Sequence, residues 1–168
     1  MRKDRVDAVA DAWERELPGV VGIELALAKR AGRLSAMLGE RVNAELARMG
    51  LTKAEYEILA VLRASGPPYR LRPSDLTNRL LLSSGGTSNL LRRLTAAELV
   101  EREADQLDAR SSWVRLSPHG VKVAEEALVA ATAAQSDLLR RVPPETVEAA
   151  VTALRELLLA LGDAAPDR

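Results

Sequence analysis

The chain of 168 residues contains no cysteine and no phenylalanine, and aromatic residues make up only 2% of it. Without cysteine there is no disulfide framework, no thiolate metal site and no cysteine-based redox switch. A core without phenylalanine has to be built from leucine, valine and alanine. That composition favours helices packed against helices.

Long apolar runs and an excess of one charge are also missing. No stretch reaches the roughly 18 uninterrupted apolar residues of a membrane-spanning helix, and Met1 is not followed by the apolar core of a signal peptide. We therefore expect a cytoplasmic protein that forms one compact subunit. The formal net charge of +0 argues against a non-specific polycation, although a local basic face remains compatible with DNA binding.

Catalytic chemistry has little support in this sequence. His119 is the only histidine, and it follows Pro118 at a predicted helix start. A lone histidine in that position is more often structural than catalytic, and no partner set for nucleophilic or metal chemistry accompanies it. We expect no enzymatic activity, no cofactor and no metal site.

Apolar residues spaced by threes and fours predict a mainly α-helical chain. Thr52 is a predicted helix cap, and Glu55 completes its capping box. The predicted helices cover residues 3–17, 21–49, 52 to the stop at 66, 73–82, 84–97, 118–142 and the segment after 144. Strand character at 99–103 and 112–116 predicts a short hairpin, and the last two helices are predicted to form an antiparallel helical hairpin.

The segment 72–120 has the order of a winged helix-turn-helix: a helix, a tight turn, a second helix with a polar face, and a hairpin with a charged tip. Such a module reads double-stranded DNA with its second helix and its hairpin. We therefore predict a mainly α fold with a small β wing, in which long N- and C-terminal helices flank the winged module.

The second helix of this module separates its residues by type. Its predicted inner face holds Thr87, Leu90, Leu91 and Leu94. The predicted DNA-facing set is Ser84, Gly85, Gly86, Ser88, Asn89, Arg92 and Arg93. Asparagine can pair with an adenine edge, arginine can reach guanine or phosphate, and the glycines allow close approach to a phosphate. The alternative is that this side of the helix is an ordinary solvated face that carries two arginines.

The hairpin supplies the second predicted contact. Asp108 can hold Arg110 extended toward a narrow minor groove, and Arg102 and Arg115 on the strands are placed to touch phosphates. From residue 70 to residue 115 there are eight arginines against six acidic residues, a net of 8 − 6 = +2. The alternative is a surface loop with a trivial ion pair.

The segment 51–120 resembles the MarR family of bacterial transcription factors. The family's wing signature is matched by Asp108-Ala109-Arg110, Trp113-Val114, Leu116-Ser117 and Gly120, and the end of its recognition helix by Leu94, Leu99, Val100 and Arg102. The resemblance implies a homodimer on a palindromic operator, released by a ligand. It divides the chain into dimerisation helices at 1–50, a DNA-binding module at 51–117 and a dimerising helical hairpin at 118–168.

A finer resemblance is to the urate-responsive branch of that family, carried by Trp13, the Leu-Pro that follows it, and the segment 66–71. That branch holds an anionic ligand with a Trp, an Asp and an Arg. Here Glu57 replaces the Asp and Leu90 replaces the Arg, so urate itself is not the expected ligand. The candidate effector-binding residues are Trp13, Arg33 and Glu57, for a small aromatic or anionic compound.

Two alternatives to a ligand-released repressor remain open at this point. A constitutive DNA-binding regulator would share the winged module but have no small-molecule effector. A helical adaptor without DNA binding would account for the apolar stripes, but it would not account for the Gly-Gly helix start or the wing.

Overall fold

A computed structural model describes residues 3–105 and 112–164. Within these ranges the chain is mainly helical, with a small antiparallel sheet, as predicted. The helices and strands are α1 (Arg5–Glu16), α2 (Ile23–Arg48), α3 (Lys53–Ala64), β1 (Arg70–Leu71), α4 (Pro73–Arg79), α5 (Ser84–Ala96), β2 (Val100–Ala104), β3 (Ser112–Leu116), α6 (Pro118–Leu139) and α7 (Pro144–Ala160). None of the described helices is both long enough and apolar enough to cross a bilayer.

The sheet has the strand order β1-β3-β2, and both pairings are antiparallel. Strands β2 and β3 are the predicted hairpin. Strand β1 was not predicted, because two residues are too few to show an alternating pattern. It forms because β3 offers a free edge, on which Leu71 pairs with Val114. Both of these side chains are buried on the core face of the sheet.

The core lies where α2, α3 and α6 meet the winged module. Its largest fully buried apolar side chains are Leu46, Ile58, Leu59, Leu62, Leu76, Leu91, Leu94, Val100 and Val114. Burial of each leucine contributes about 1.5–3 kcal/mol. Small residues on α6, such as Ala127, allow α2 and α3 to approach α6 closely.

The start of α6 is tied to the segment between α5 and β2 by hydrogen bonds of Ser117. The Ser117 hydroxyl donates to the Glu98 carbonyl at 2.6 Å and accepts from the Gly120 N–H at 2.8 Å. The Ser117 N–H donates to the Leu99 carbonyl at 3.1 Å. Gly120 is buried against Leu99, and this close approach leaves no room for a side chain.

The helices α1 and α7 lie at the edge of the subunit. The carboxylate of Asp4 caps α1 and also binds Arg30 of α2 at 2.9 Å. Helix α7 follows a Pro143-Pro144 turn but packs only slightly on the rest of the described chain, so α6 and α7 do not form the closely packed helical hairpin that the sequence predicted. The apolar side chains of α7 from Val151 onward are 40% or more exposed.

Candidate nucleic-acid interface and ligand cavity

The orientation of α5 is set by its buried side and by its first turn. Thr87 and Leu91 are almost completely buried, as predicted. The hydroxyl of Ser83 caps the helix by accepting from the Gly86 N–H at 3.1 Å. Thr77 of α4 donates to the Thr87 hydroxyl at 3.0 Å. These contacts fix α5 against α4, so the opposite side of α5 faces outward at a defined angle.

The turn between α4 and α5 is short. Helix α4 ends at Arg79, earlier than the predicted end at residue 82. Leu81 in the turn has a φ of 51° and is 93% exposed. The left-handed backbone at this position breaks the helix, and the Leu82 N–H returns to the Thr77 carbonyl at 3.1 Å. The geometry is that of a helix-turn-helix.

The outward face of α5 carries the predicted groove residues. Most of them are exposed, namely Ser84, Gly85, Ser88, Asn89, Arg92 and Arg93, while Gly86 is half-buried. The Asn89 side-chain oxygen accepts from Arg92 at 2.6 Å. This face therefore presents small groups at the helix N-terminus and cations further along, an arrangement that suits a major groove.

Arg93 has a partner that the sequence did not reveal. Its Nε lies 3.0 Å from the carboxylate of Glu55 on α3, which is only 6% exposed. The other carboxylate oxygen of Glu55 accepts from the N–H and the hydroxyl of Thr52, at 2.8 and 2.7 Å. The predicted capping box is present, and its glutamate also holds α5 in place through Arg93.

The described part of the wing is its base, which consists of β2 and β3. Arg102 on β2 is exposed, as its predicted phosphate contact requires. Arg115 on β3 binds Glu101 at 2.7 Å, and this hydrogen bond raises the pKa of the Arg115 guanidinium. The predicted tip residues Asp108 and Arg110 lie outside the described residues.

A cluster at the base of the wing was missed by sequence reasoning. The guanidinium carbons of Arg70 and Arg72 lie 4.8 and 5.0 Å from the centroid of the Trp113 ring. Arg70 also approaches Glu103 at 3.3 Å, and Arg72 binds Asp105 at 2.9 Å. No local pattern joins these residues, because Arg72 and Asp105 are 33 positions apart.

The structure separates the three candidate effector residues. Glu57 lines a cavity of about 420 Å³ formed by α2, α3, α6 and α7, together with Lys53, Tyr56 and mainly apolar side chains. Arg33 lines a different, wide cleft of about 750 Å³ between α1 and α2. Trp13 is 49% exposed and lines neither of them.

The cavity beside α3 has a mixed chemical character. Lys53 and Glu57 form an ion pair at 3.6 Å on its wall. Burial, and then the charge of Glu57, raise the pKa of the Tyr56 hydroxyl, so this group stays a neutral hydrogen-bond donor near pH 7. Leu34 and Ala131 supply apolar surface. The cavity can therefore accept a small ring that carries a polar or anionic group.

Comparisons with known proteins agree on one family. A sequence model described as the MarR family matches residues 49–111. The HTH-type transcriptional regulator PecS of Dickeya dadantii is 26% identical over 115 residues, which are 68% of this chain and 69% of PecS.

Solved structures agree on the fold. AbsC, a MarR family transcriptional regulator from Streptomyces coelicolor, superposes with a TM-score of 0.71 at 24% identity over 86% of this chain and 98% of its own. A mutant MarR from E. coli complexed with operator DNA gives a TM-score of 0.69 at 19% identity, with coverages of 87% and 97%. Both superpositions indicate that this chain has the same winged-helix fold as these two proteins.

Proposed function

Because the chain belongs to the MarR family of transcriptional regulators, we propose that it binds a palindromic operator as a homodimer and releases it when a small molecule binds. Such a protein acts on chromosomal DNA in the bacterial cytoplasm. Membership of this family supports a regulatory role rather than a catalytic one, and it favours DNA binding over the adaptor alternative.

The observation that carries the proposal is the outward face of α5. Its side chains are polar or cationic, and the buried side of the helix is fixed to α4. Ser88 and Asn89 are placed to read base edges, and Arg92 to reach guanine or phosphate. In the free protein Asn89 is held by Arg92, so the two side chains exchange this contact for contacts with DNA.

The remaining contacts are assigned to the phosphate backbone and the minor groove. We assign phosphate binding to the first residues of α5, which are Ser84, Gly85 and Gly86, and to the cations Arg93 on α5 and Arg102 on β2. The Arg93 Nε binds Glu55, and the Arg93 side chain as a whole remains 54% exposed. Asp108 and Arg110 are assigned to the minor groove.

The homodimer is supported by apolar faces that one subunit leaves uncovered. Ile23 and Leu27 on α2, Val9 on α1, and Leu154 and Leu158 on α7 are each 40% or more exposed. A monomeric protein rarely leaves so much apolar surface in contact with water. The segments 1–50 and 118–168 thus serve dimerisation, and the segment 51–117 serves DNA binding.

Dimerisation is tested by sedimentation of a variant carrying Leu154→Glu and Leu158→Glu. Two buried carboxylates facing their symmetry mates would break the interface, so we expect monomers. Arg155→Glu adds the same type of charge on the same helix and is expected to stay dimeric. A double variant that sediments like the wild type would place the interface elsewhere.

The effector site is assigned to the cavity beside α3, because it lies between the flanking helices and the DNA-binding module. A ligand there can change the spacing of the two recognition helices, provided that it binds the two arrangements with different affinity. Tyr56 can donate to the polar group of a small aromatic compound, and an aromatic acid would bind Lys53 by displacing Glu57 from it. If no small aromatic acid, flavonoid-like or antibiotic-like compound releases the DNA, a constitutive regulator is the simplest interpretation.

DNA binding is tested with the intergenic DNA upstream of the protein's own gene, at several salt concentrations. We expect a specific complex with a steep salt dependence. Asn89→Ala should lose sequence specificity, because loss of its base contact costs about 1–3 kcal/mol of binding free energy. Arg110→Ala should weaken binding to all DNA sequences alike. Arg155→Ala on α7 is the control. If both variants bind as the wild type does, the assignment is wrong.

A further inference from the structure

At the base of the wing lies an ion pair whose two side chains differ strongly in solvent exposure. The carboxylate of Asp105, just after β2, is only 8% exposed, and Arg72 is one of its partners. A buried carboxylate is retained only when it is paired and hydrogen-bonded, because its desolvation is costly. The neighbouring pair of Arg70 and Glu103 is about 40% exposed on both sides, and such a pair contributes little.

The position of Arg72 in the fold makes this ion pair a link between two parts of the module. Arg72 lies between β1 and α4, and its backbone N–H is bound by Asp75 in the first turn of α4 at 3.2 Å. Its guanidinium crosses over Trp113 on the central strand β3 to reach Asp105 beyond β2. A planar guanidinium can stack on an indole and bind a carboxylate at the same time.

Resting on the DNA-binding function proposed above, we propose that Arg72, Asp105 and Trp113 form a wing clamp that sets the angle of the wing relative to α4 and α5. The wing and the recognition helix then meet the DNA as one prearranged unit. Because less conformational freedom is lost on binding, the complex is tighter. The three residues act as positioning residues, and none of them needs to touch a base.

The change in operator affinity on removal of one negative charge distinguishes the wing clamp from a purely electrostatic effect. Asp105→Asn and Glu103→Gln each remove one negative charge from the same part of the wing. By electrostatics alone, both changes would strengthen binding to the DNA polyanion. The clamp predicts that Asp105→Asn weakens operator binding by roughly tenfold, the loss of about 1.4 kcal/mol for one charge-assisted contact. Glu103→Gln, the matched control, should not weaken it.

Arg72→Lys separates positioning from direct phosphate contact. Lysine keeps the charge and loses the planar group, so the clamp predicts weaker binding with an unchanged salt slope. A direct phosphate contact predicts that Arg72→Lys keeps its affinity, and that Arg72→Ala lowers the salt slope by about one. That second pattern would overturn the proposal.

A fluorescence measurement on the protein alone tests the wing clamp even if the chosen DNA is not the operator that the protein binds. The chain has two tryptophans, so Trp13→Phe leaves Trp113 as the single reporter. We expect Asp105→Asn and Arg72→Lys to lower the fluorescence anisotropy of Trp113 and Glu103→Gln to leave it unchanged, in proteins that melt as the parent does. Failure of the wild type to bind DNA would refute the proposed function alone. Equal anisotropy in all variants, or tighter operator binding by Asp105→Asn, would refute the clamp.

Discussion

Gly120→Ala is expected to destabilise the protein by forcing the start of α6 away from Leu99, which lies between α5 and β2. A Cβ at this position would overlap the carbonyl oxygen of Leu99 and lie 2.8 Å from its carbonyl carbon. These are backbone atoms, so no side-chain rotation can relieve the overlap. The helix start has to move, and the hydrogen bonds that Ser117 makes with Glu98 and Leu99 lengthen as it does.

The magnitude follows from three contributions. Overpacking of a closely packed site costs about 1–3 kcal/mol. Weakening the two hydrogen bonds made by Ser117 costs about 1 kcal/mol each. Alanine regains about 1 kcal/mol over glycine through its better helix propensity. We therefore expect a net loss of about 2–4 kcal/mol in the free energy of unfolding.

The assay is urea unfolding followed by circular dichroism at a fixed protomer concentration, because the stability of the proposed dimer would depend on concentration. Gly85→Ala is the matched control: it makes the same change in the first turn of α5, where no heavy atom lies within 4 Å of the new Cβ. It should be neutral or slightly stabilising. A Gly120→Ala protein as stable as the wild type would refute the close approach on which the reasoning rests.

Two further predictions concern ion pairs. Single and double alanine variants of Glu55 and Arg93 should show a coupling of about 1 kcal/mol or more in urea unfolding, since the carboxylate is buried; additive effects would contradict the pairing. The pKa of the Asp4 carboxyl is lowered mainly by the hydrogen bond from the Asp7 N–H, and also by Arg30. Its contribution is therefore present above its ordinary pKa of 3.8 and is lost as the pH falls further. The protection of the α1 amides, measured as their exchange relative to the unstructured-peptide rate at each pH, should fall below this pH, and Asp4→Asn should remove that step if Asp4 causes it.

Much of the candidate interface was predictable because its signals are local. Helix faces repeat every three to four residues, and caps act over three, so Thr87 and Leu91 could be placed inside and Asn89 outside without coordinates. Strand β1 could not be predicted, because its two residues form a strand only through pairing with β3. The same limit applies to the end of α4, where the turn at Leu81 overrides a continuous apolar pattern.

The sequence by itself determined the mainly helical class, the order of the elements and the polar face of α5, since these depend on composition and short-range spacing. Only the tertiary structure decided which distant charges meet. It placed Arg93 on Glu55 and Arg72 on Asp105, and it put Glu57 in one cavity and Arg33 in another cleft. Such contacts depend on how whole helices and strands pack, and no pattern of a few residues encodes that packing.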